Sequence, residues 1–403
     1  MQPLIILQEP IIAAWTLGSV LLAISYIFIV EKYRSGWRKL PDWTPRPGAS
    51  PQTKISVIIP ARNEAANLPK CLASIAEQSY PPTLFEVILL DDTSADDTFL
   101  LAQSFAERQA NLRVVRLGGE GASGGVAQGH AATNFAIGKK AAIEAGIALA
   151  TGELIVCTDA DCLLPPDWLR LVAAFFEEKK AKFIAAPVNF HREGNRLQRF
   201  QSLDFLGMMG VTGAGFQAGS GLLCNGANLA YPKAVFLEVG GFEGIAGLAS
   251  GDDMLLLHKV ARRHPNGVFF LKNRAATVLT EAQPDLSSFV SQRLRWASKS
   301  RSYEDWRVTL RLSVVFLLSW AIVLNLLLSC WLGWPLAALG VGLFFAKTVV
   351  DFRFLGELCR YFGRQDLMRN YLLSQGTHIA YIIGIGTLAN LAKRYEWKGR
   401  RLR

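Results

Sequence analysis

Short apolar runs alternate with amphipathic stretches through the middle of the chain, between about Pro41 and Arg311. β-rich runs occur at 54–61, 85–92, 112–117 and 153–161, and stretches with helical spacing of apolar residues occur at 64–78, 95–109 and 138–152. This alternation of strands and helices predicts an α/β domain built on a doubly wound, mostly parallel sheet.

An uncharged apolar run precedes this domain. Residues 11–30 are long enough to cross a bilayer, and the basic stretch EKYRSGWRKL follows them. No basic residue precedes the run and no small-residue cleavage site ends it, which favours a retained anchor over a secretory signal peptide. Because basic flanks stay on the cytoplasmic side, we expect the domain that follows to be cytoplasmic.

Three further apolar segments, 312–334, 335–350 and 372–392, are candidate membrane spans. The stretch 351–371 between them is basic and amphipathic and is predicted to lie on the membrane surface. Lys347 and Asp351 are expected to form an interfacial pair. If all these segments crossed, the basic tail would lie outside, against the charge rule, so we expect one C-terminal segment not to cross.

This organisation gives an anchor over 1–40, a domain over 41–311 and a C-terminal membrane region over 312–403. Of the 403 residues, 51% are hydrophobic, and the net charge is +10. The basic residues cluster beside the apolar segments, so anionic lipid explains the charge better than nucleic acid does. The six cysteines have no metal-ligand spacing and are expected to be reduced thiols.

Acidic residues follow three of the predicted strands. Glu64 follows the first strand, Asp91 and Asp92 end the second, and Asp159 and Asp161 follow the fourth. Ligands of doubly wound sheets bind beyond the carboxyl ends of the strands. The sequence therefore predicts that these acids share one ligand-binding crevice.

The pair Asp159 and Asp161 suits a divalent ion, because hard oxygen ligands bind Mg²⁺ or Mn²⁺ that bridges nucleotide phosphates. Lys139 and Lys140 lie upstream, where they can meet phosphate charge. The alternative for the acid pair is a helix cap beside a solvent-facing acid. The Gly-rich segment 118–134 lacks the residue order of a P-loop, and it is interpreted as a surface loop or as a lid over the crevice.

Two motifs near the end of the domain add candidates. Asp252 and Asp253 open a predicted helix, where they either cap it or supply a general base. In SQRLRWASKS, Arg295 is a candidate for binding a diphosphate and Trp296 for contacting an acceptor. The alternative is a basic, membrane-proximal helix with an interfacial tryptophan.

Taken in order, these motifs resemble the membrane-embedded family 2 glycosyltransferases. The matching stretches are VIIPARNE (57–64), LLDDTSADDT (89–98), GKKAAIEAGI (138–147), TDADC (158–162), CNGANLAY (224–231), GDD (251–253) and QRLRW (292–296). The resemblance implies a GT-A fold, a nucleotide-diphosphate-sugar donor, Mg²⁺ or Mn²⁺ as cofactor, and inversion of the anomeric carbon. The Gly-rich loop before Lys139 and the Gly at 251, where family members often have Glu, are departures.

The resemblance also implies residue roles. Asp253 matches the catalytic base of the family. The other implied roles are donor binding by Ala61, Arg62, Glu64, Asp91, Asp92, Lys140, Asp159 and Arg295, metal binding by Asp161 and Asp159, and contact with the acceptor side by Asn225, Asp252, Gln292 and Trp296.

Several functions stay open. A polysaccharide synthase needs enough spans for a channel, and the few candidate spans favour single transfer to a membrane lipid over extension of a glycan. A nucleotidyltransferase would have a Gly-rich, Arg-containing loop where PARNEAANL stands. A non-catalytic scaffold would not need the acids of TDADC and GDD. By analogy, UDP is the expected carrier and a bacterial inner membrane the expected location.

Overall fold

The computed structural model describes residues 2–118, 138–244, 252–298, 306–391, 395–397 and 400–402. The strands are β1 (Ile55–Ala61), β2 (Phe85–Asp91), β3 (Leu112–Arg116), β4 (Leu154–Cys157), β5 (Phe183–Ala185), β6 (Val188–His191), β7 (Leu229–Pro232), β8 (Val268–Phe270), β9 (Val278–Glu281), β10 (Tyr395–Trp397) and β11 (Arg400–Leu402). The α-helices are α1 (Gln2–Lys39), α2 (Leu68–Ala76), α3 (Thr98–Ala106), α4 (Lys139–Leu149), α5 (Trp168–Lys179), α6 (Arg196–Ala218), α7 (Lys233–Glu238), α8 (Asp252–Arg263), α9 (Leu286–Ser298), α10 (Trp306–Leu332), α11 (Trp334–Phe362) and α12 (Tyr371–Leu391). Short 3₁₀ helices occupy Arg274–Ala276 and Gln365–Asn370.

A seven-stranded sheet in the order β3-β2-β1-β4-β7-β5-β8 forms the centre of the domain. The pairs among β1 to β4 are parallel, as the strand–helix alternation predicted. β7 runs antiparallel to both β4 and β5, a reversal that the sequence did not predict. The amino end of β7 therefore lies at the edge where β4 ends.

The sheet is covered on both faces. In β1, Ile58 packs with Ala142 of α4, whereas Val57 and Ile59 face the opposite side and pack with Leu72 of α2. Because successive side chains of a strand point to opposite faces, a strand buried on both sides is apolar without alternation. The doubly wound arrangement with a mostly parallel sheet is thus confirmed.

Four helical segments are long and apolar enough to cross a membrane, Glu9–Lys39, Trp306–Leu332, Trp334–Phe362 and Gln365–Leu391. The third is one continuous helix that extends to Phe362, so the predicted break at 350 is wrong. Asp351 is buried and accepts hydrogen bonds from Lys347 Nζ at 2.6 Å and Tyr26 Oη at 2.7 Å. A paired charge can continue an apolar helix. Lys347 and Asp351 thus form the expected pair, and both side chains are buried.

The carboxyl end of α1 is fixed to the domain by Lys272. The ammonium of Lys272 donates to the main-chain carbonyls of Trp37 and Leu40, each at 2.9 Å. It also lies 4.5 Å from the ring centre of Trp37. The last carbonyls of a helix have no intrahelical donor, so this lysine supplies one.

Helix α6 joins the domain to the apolar helices. It packs so closely on α11 that a Cβ at Gly210 would lie 2.6 Å from Leu358 Cδ1. Beside this contact, Arg34 and Arg38 of α1 both form ion pairs with Glu357 of α11. The domain and the apolar helices therefore share one continuous interface.

Candidate active site

The acids predicted to share a crevice lie along one edge of the sheet. In the β1–β2 register, Ala61 pairs with Asp91, so both strands end at the same level. β4 points to the same edge but ends earlier, at the level of Ile58, where the amide of Thr158 donates to the carbonyl of Ile58. The loops that follow β1, β2 and β4 therefore leave the sheet together.

Two of these loops are held together by hydrogen bonds. Arg62 Nη1 donates to the carbonyl of Asp92 at 2.6 Å, and the amide of Asn63 donates to Ser94 Oγ at 2.9 Å. Asn63 and Thr93 adopt left-handed backbone conformations, with φ of 51° and 55°. Such conformations are costly for a β-branched residue and are concentrated at functional sites.

Asp91 presents a buried acceptor at this edge. Its side chain is 0% exposed. Its Oδ2 receives the amide of Ser94 at 3.3 Å and lies 3.5 Å from Arg116 Nε, whereas Oδ1 has no hydrogen-bond partner among the described residues. A buried carboxylate oxygen is costly without a donor, so an N–H or O–H of a ligand would complete the pairing.

Asp159 and Asp161 follow β4, and Asp159 is paired with Lys139. The distance from Lys139 Nζ to Asp159 Oδ1 is 2.6 Å. Lys140, the lysine that the resemblance assigns to the donor, is instead buried in α4. Burial and the nearby carboxylates of Asp161 and Asp159 raise the pKa of the thiols of Cys71 and Cys162.

No group of three or more His, Cys, Asp or Glu side chains able to hold a metal ion occurs in the described part of the chain. The pair Asp159 and Asp161 supplies carboxylate oxygens, the ligand type that Mg²⁺ and Mn²⁺ prefer. These residues fit an ion that takes most of its other ligands from a diphosphate and water.

Asp253 lies in the first turn of α8 and is oriented by backbone amides. Its Oδ2 receives the amide of Gly226 at 3.0 Å, and its Oδ1 receives the amide of Met254 at 2.8 Å. Gly226 belongs to the turn that leads into β7, where Asn225 Oδ1 accepts the amide of Ala227 at 3.0 Å. The reversal of β7 therefore brings Asp253 to the sheet edge that carries Asp159. Asp252 begins α8; its side chain, the Gly at 251 and residues 119–137 lie outside the described part.

Helix α9 carries the candidates of the QRLRW motif. Gln292 Oε1 is buried and has no hydrogen-bond partner among the residues that the structure describes. Trp296 is half-buried, with its ring 5.9 Å from that of Phe205 on α6. Arg295 is also half-buried in this helix.

Arg293 is a residue of this region that the sequence reasoning missed. It is 1% exposed, pairs with Asp204 at 3.1 Å, and stacks 4.4 Å from the ring centre of Trp296 and 5.0 Å from that of Phe289. Burial raises the pKa of Asp204, against the effect of Arg293. The spacing of Phe289, Arg293 and Trp296 places all three on one helix face, which was the available signal.

Comparison with known proteins identifies the domain. A model of the family "Glycosyltransferase like family 2" matches residues 51–298. The chain belongs to glycosyltransferase family 2. The glycosyltransferase domain thus includes the whole sheet and every predicted site residue.

Two curated relatives are similar to this glycosyltransferase over part of its length. It is 30% identical over 126 residues to the beta-monoglucosyldiacylglycerol synthase of Synechocystis sp., which is 31% of this chain and 23% of that protein. It is 33% identical over 131 residues to the undecaprenyl-phosphate 4-deoxy-4-formamido-L-arabinose transferase of Klebsiella pneumoniae, which is 30% of this chain and 34% of that protein. The chain therefore matches well under half the length of these relatives.

A solved structure shares the fold over most of the glycosyltransferase. The mannosyltransferase of Pyrobaculum calidifontis, solved in complex with GDP-Man and Mn²⁺, superposes with a TM-score of 0.56 at 20% identity. The match covers 93% of this chain and 99% of that chain. The fold is GT-A-like, as the resemblance implied.

Proposed function

We propose that this glycosyltransferase moves a sugar from a nucleotide-diphosphate sugar, with UDP as the carrier, to a lipid acceptor in the membrane, with inversion of the anomeric carbon. The observation that carries the proposal is the gathering of Asp91, Asp159 and Asp253 at one sheet edge, in a domain packed directly on long apolar helices.

The donor nucleotide is assigned to the edge formed by β1 and β2. The buried Oδ1 of Asp91 is suited to an N–H of the base, and Asp92 with the loop Ala61, Arg62 and Glu64 lies beside it. Lys139 lies at the amino end of α4, next to Asp159, where its charge suits the phosphates. We therefore assign to Lys139 the role that the resemblance gave to Lys140, and Arg295 is assigned to the diphosphate.

Asp161 and Asp159 are assigned to a divalent ion. When bound, Mg²⁺ or Mn²⁺ would supply positive charge to the diphosphate leaving group. The mannosyltransferase that shares the fold was solved with Mn²⁺ and a nucleotide sugar, which supports this assignment.

Asp253 is assigned as the general base. Amides of Gly226 and Met254 hold its carboxylate, which fixes the direction of its oxygens. The carboxylate takes the proton of an acceptor hydroxyl while that oxygen bonds to the anomeric carbon, and the bond from this carbon to the diphosphate oxygen breaks on the opposite face. The acceptor side is assigned to Asn225, Asp252, Gln292 and Trp296.

The lipid nature of the acceptor rests on two observations. The curated relatives are named for a glucosyldiacylglycerol and for undecaprenyl phosphate, both lipids. In addition, Trp296 packs on α6, the helix that contacts α1 and α11. The charge pattern supports an orientation with the domain on the cytoplasmic side, and the bacterial inner membrane is assigned by analogy.

The test is nucleotide release by the detergent-purified protein with a panel of UDP- and GDP-sugars, Mn²⁺ or Mg²⁺, and extracted membrane lipid. Release that requires lipid is expected, and Asp253→Asn should lower its rate by about 10²–10⁴-fold. The control is Asp285→Asn, an exposed acid that likewise accepts a backbone amide near the start of a helix; it should leave the rate unchanged.

Two results would contradict the proposal. A growing polymer made without added lipid would indicate a synthase. Equal rates for Asp253→Asn and the unchanged protein would remove the assigned base.

A further inference from the structure

Helix α12 is apolar enough to span a membrane, but its contacts give a different orientation. Positions along the α10–α11 hairpin can be compared by their distance from Gly333, the single residue that joins the two helices. They run side by side in opposite directions, with Gly340 packed on Leu326. Positions equally far from Gly333 on the two helices therefore lie at the same level.

Both ends of α12 contact this hairpin at nearly the same level. Near its start, the hydroxyl of Tyr371 donates to the carbonyl of Thr348 on α11. Near its end, Gly386 packs on Phe316 of α10, where a Cβ would lie 2.6 Å from the ring. At 1.5 Å per residue, Thr348 lies about 23 Å from Gly333 along α11, and Phe316 lies about 26 Å from Gly333 along α10. The two α12 residues that contact them, Tyr371 and Gly386, are about 22 Å apart along α12. A helix parallel to the hairpin would show a difference of about 22 Å, so α12 runs almost perpendicular to it.

The level of these contacts is the boundary of the apolar region. At the far end of the hairpin, Trp331 and Trp334 are 79% and 78% exposed, as is usual at a membrane surface. At the other end, Arg353 of α11 pairs with Glu31 of α1 at 3.4 Å. Trp334 and Arg353 are about 29 Å apart along α11, close to the thickness of the hydrocarbon core. Thr348 lies about 8 Å from Arg353, near the boundary on the domain side.

The two faces of α12 differ in what they contact. One face lies on the protein, where the ring of Tyr381 packs 5.5 Å from that of Phe289 on α9 and His378 lies 3.9 Å from Asp204 on α6. The other face is exposed and mostly apolar, with Leu372, Leu373, Ala380, Leu388 and Leu391; its polar residues Thr377 and Asn390 donate to carbonyls of the same helix. Exposed apolar residues of α11 at the same level, Val349 and Phe352, continue this surface.

The chain beyond α12 also stays near the domain. Strand β10 contacts α9, the helix that carries the QRLRW motif. The segments before and after α12 are thus both on the side of the glycosyltransferase domain.

We propose that α12 lies in the plane of the membrane, between the domain and the hydrocarbon of the leaflet on that side. The exposed apolar face of α12 is covered by the acyl chains of this leaflet, which also cover α1, α10 and α11. Of the helices that the structure describes, α1, α10 and α11 then cross the membrane. This placement does not depend on the proposed chemistry, so it can be tested without knowing the sugar or the acceptor.

The test measures the depth of spin labels in lipid nanodiscs. Single cysteines are introduced as Leu373→Cys and Ala380→Cys on α12, with Phe352→Cys and Phe345→Cys on α11 as a control pair with the same spacing and exposure to lipid. The accessible thiols of Cys330 and Cys224 are first changed to serine, whereas the buried cysteines remain. Leu388→Cys provides a further position on α12.

The label on Phe345→Cys should lie about 10 Å deeper than that on Phe352→Cys, since α11 crosses the bilayer. The labels on α12 should lie at one depth within about 3 Å, between the depths of Phe345→Cys and Phe352→Cys and nearer that of Phe352→Cys. A label on Ala380→Cys about 10 Å deeper than that on Leu373→Cys would overturn the proposal.

A second measurement uses sealed vesicles and a maleimide that cannot cross the membrane. Arg400→Cys, in strand β11 beyond α12 and made in the protein with Cys224→Ser and Cys330→Ser, should react from the side of the domain. The native Cys330, near the far end of α10, should react from the opposite side. Reaction of both from one side would show that α12 crosses.

Discussion

At the residue scale, the arrangement around Arg293 distinguishes two arginines of one motif. Arg293 is almost completely buried between Asp204 and the ring of Trp296, whereas Arg295 is half-buried in the same helix. A buried charge is tolerated only when it is paired. Arg293 is therefore a positioning residue that holds the ring of Trp296 by stacking on it.

Removing one member of the Asp204–Arg293 pair should be worse than removing both. Arg293→Met leaves Asp204 buried without its partner and should cost about 3–5 kcal/mol of stability. The double variant Arg293→Met with Asp204→Leu should recover most of this loss. Thermal unfolding of the purified single and double variants checks it, and strictly additive losses would contradict the expectation.

Asp91 should determine the affinity for the nucleotide. Asp91→Asn replaces one carboxylate oxygen by an amide donor, so the hydrogen bond assigned to Oδ1 weakens by about 1.5–3 kcal/mol, or about 10- to 150-fold in Kd. Calorimetric titration with UDP measures this change. Asp97→Asn, an exposed acid after the same strand, is the control and should bind UDP normally.

The sequence allowed the acids of the site to be predicted, because a buried strand that stops at a carboxylate places it at the sheet edge. It did not distinguish Lys139 from Lys140. The two differ only in which side of α4 they occupy, and that depends on where the helix begins. Arg293 was missed for a related reason, since a basic residue before a membrane segment is usually exposed, and only the packing of α6 and α12 buries it.

At the element scale, the close contact of α6 with α11 leaves no room for a side chain. Gly210→Ala places a Cβ against Leu358 and should destabilise the protein by about 1–3 kcal/mol. Gly342→Ala in α11 has open space around it and should be neutral or stabilising by up to about 1 kcal/mol. Thermal unfolding of the two variants compares them, and equal midpoints would argue against tight packing at Gly210.

The ion pair of Glu193 with Arg364, which lies between α11 and α12, should make the stability of the protein depend on pH. Glu193 is bonded to Arg364 at 2.8 Å and receives the hydroxyl of Ser202. Burial opposes ionisation, but these two bonds prevail and lower the pKa of Glu193 below its usual value. The stabilisation is therefore present above about pH 4.5 and is lost as the pH falls through the lowered pKa.

Glu193→Gln should remove this dependence. At neutral pH the variant should be less stable by about 1.5–3 kcal/mol, and the difference should shrink as the pH falls below about 4.5 through the lowered pKa of Glu193. Unfolding midpoints measured from pH 7 to about pH 2.5 test the trend, and a constant difference over this range would exclude Glu193 as its origin.

The elements themselves were predictable to different degrees. Strands β1, β2 and β4 and their helices follow from apolar periodicity. The antiparallel direction of β7 could not be predicted from the sequence. The strand LAYP has four residues, all buried, so its pattern does not indicate a direction. The break expected after 350 came from the basic, amphipathic character of 351–371, but the helix continues there and Asp351 is paired with Lys347 and Tyr26 in the protein interior.

At the scale of the whole molecule, the domain and α1 are coupled through Lys272. Lys272→Met leaves the carbonyls of Trp37 and Leu40 without their donor and should cost about 1–3 kcal/mol for each buried carbonyl. Limited proteolysis should then cut the connection at 41–54 faster. Lys70→Met, an exposed lysine outside that connection, is the control and should leave the rate of cleavage unchanged.

The pairing of Tyr26 with Asp351 has a consequence for biosynthesis. The two residues are 325 positions apart, so α1 enters the membrane long before the ribosome has made its partner. The entire glycosyltransferase domain is translated in between, while the side of α1 that will face α11 is still covered by lipid. Contacts of such high sequence separation form late. The domain therefore folds first on a single tether, and the closing of the helices around α1 is the last step of assembly.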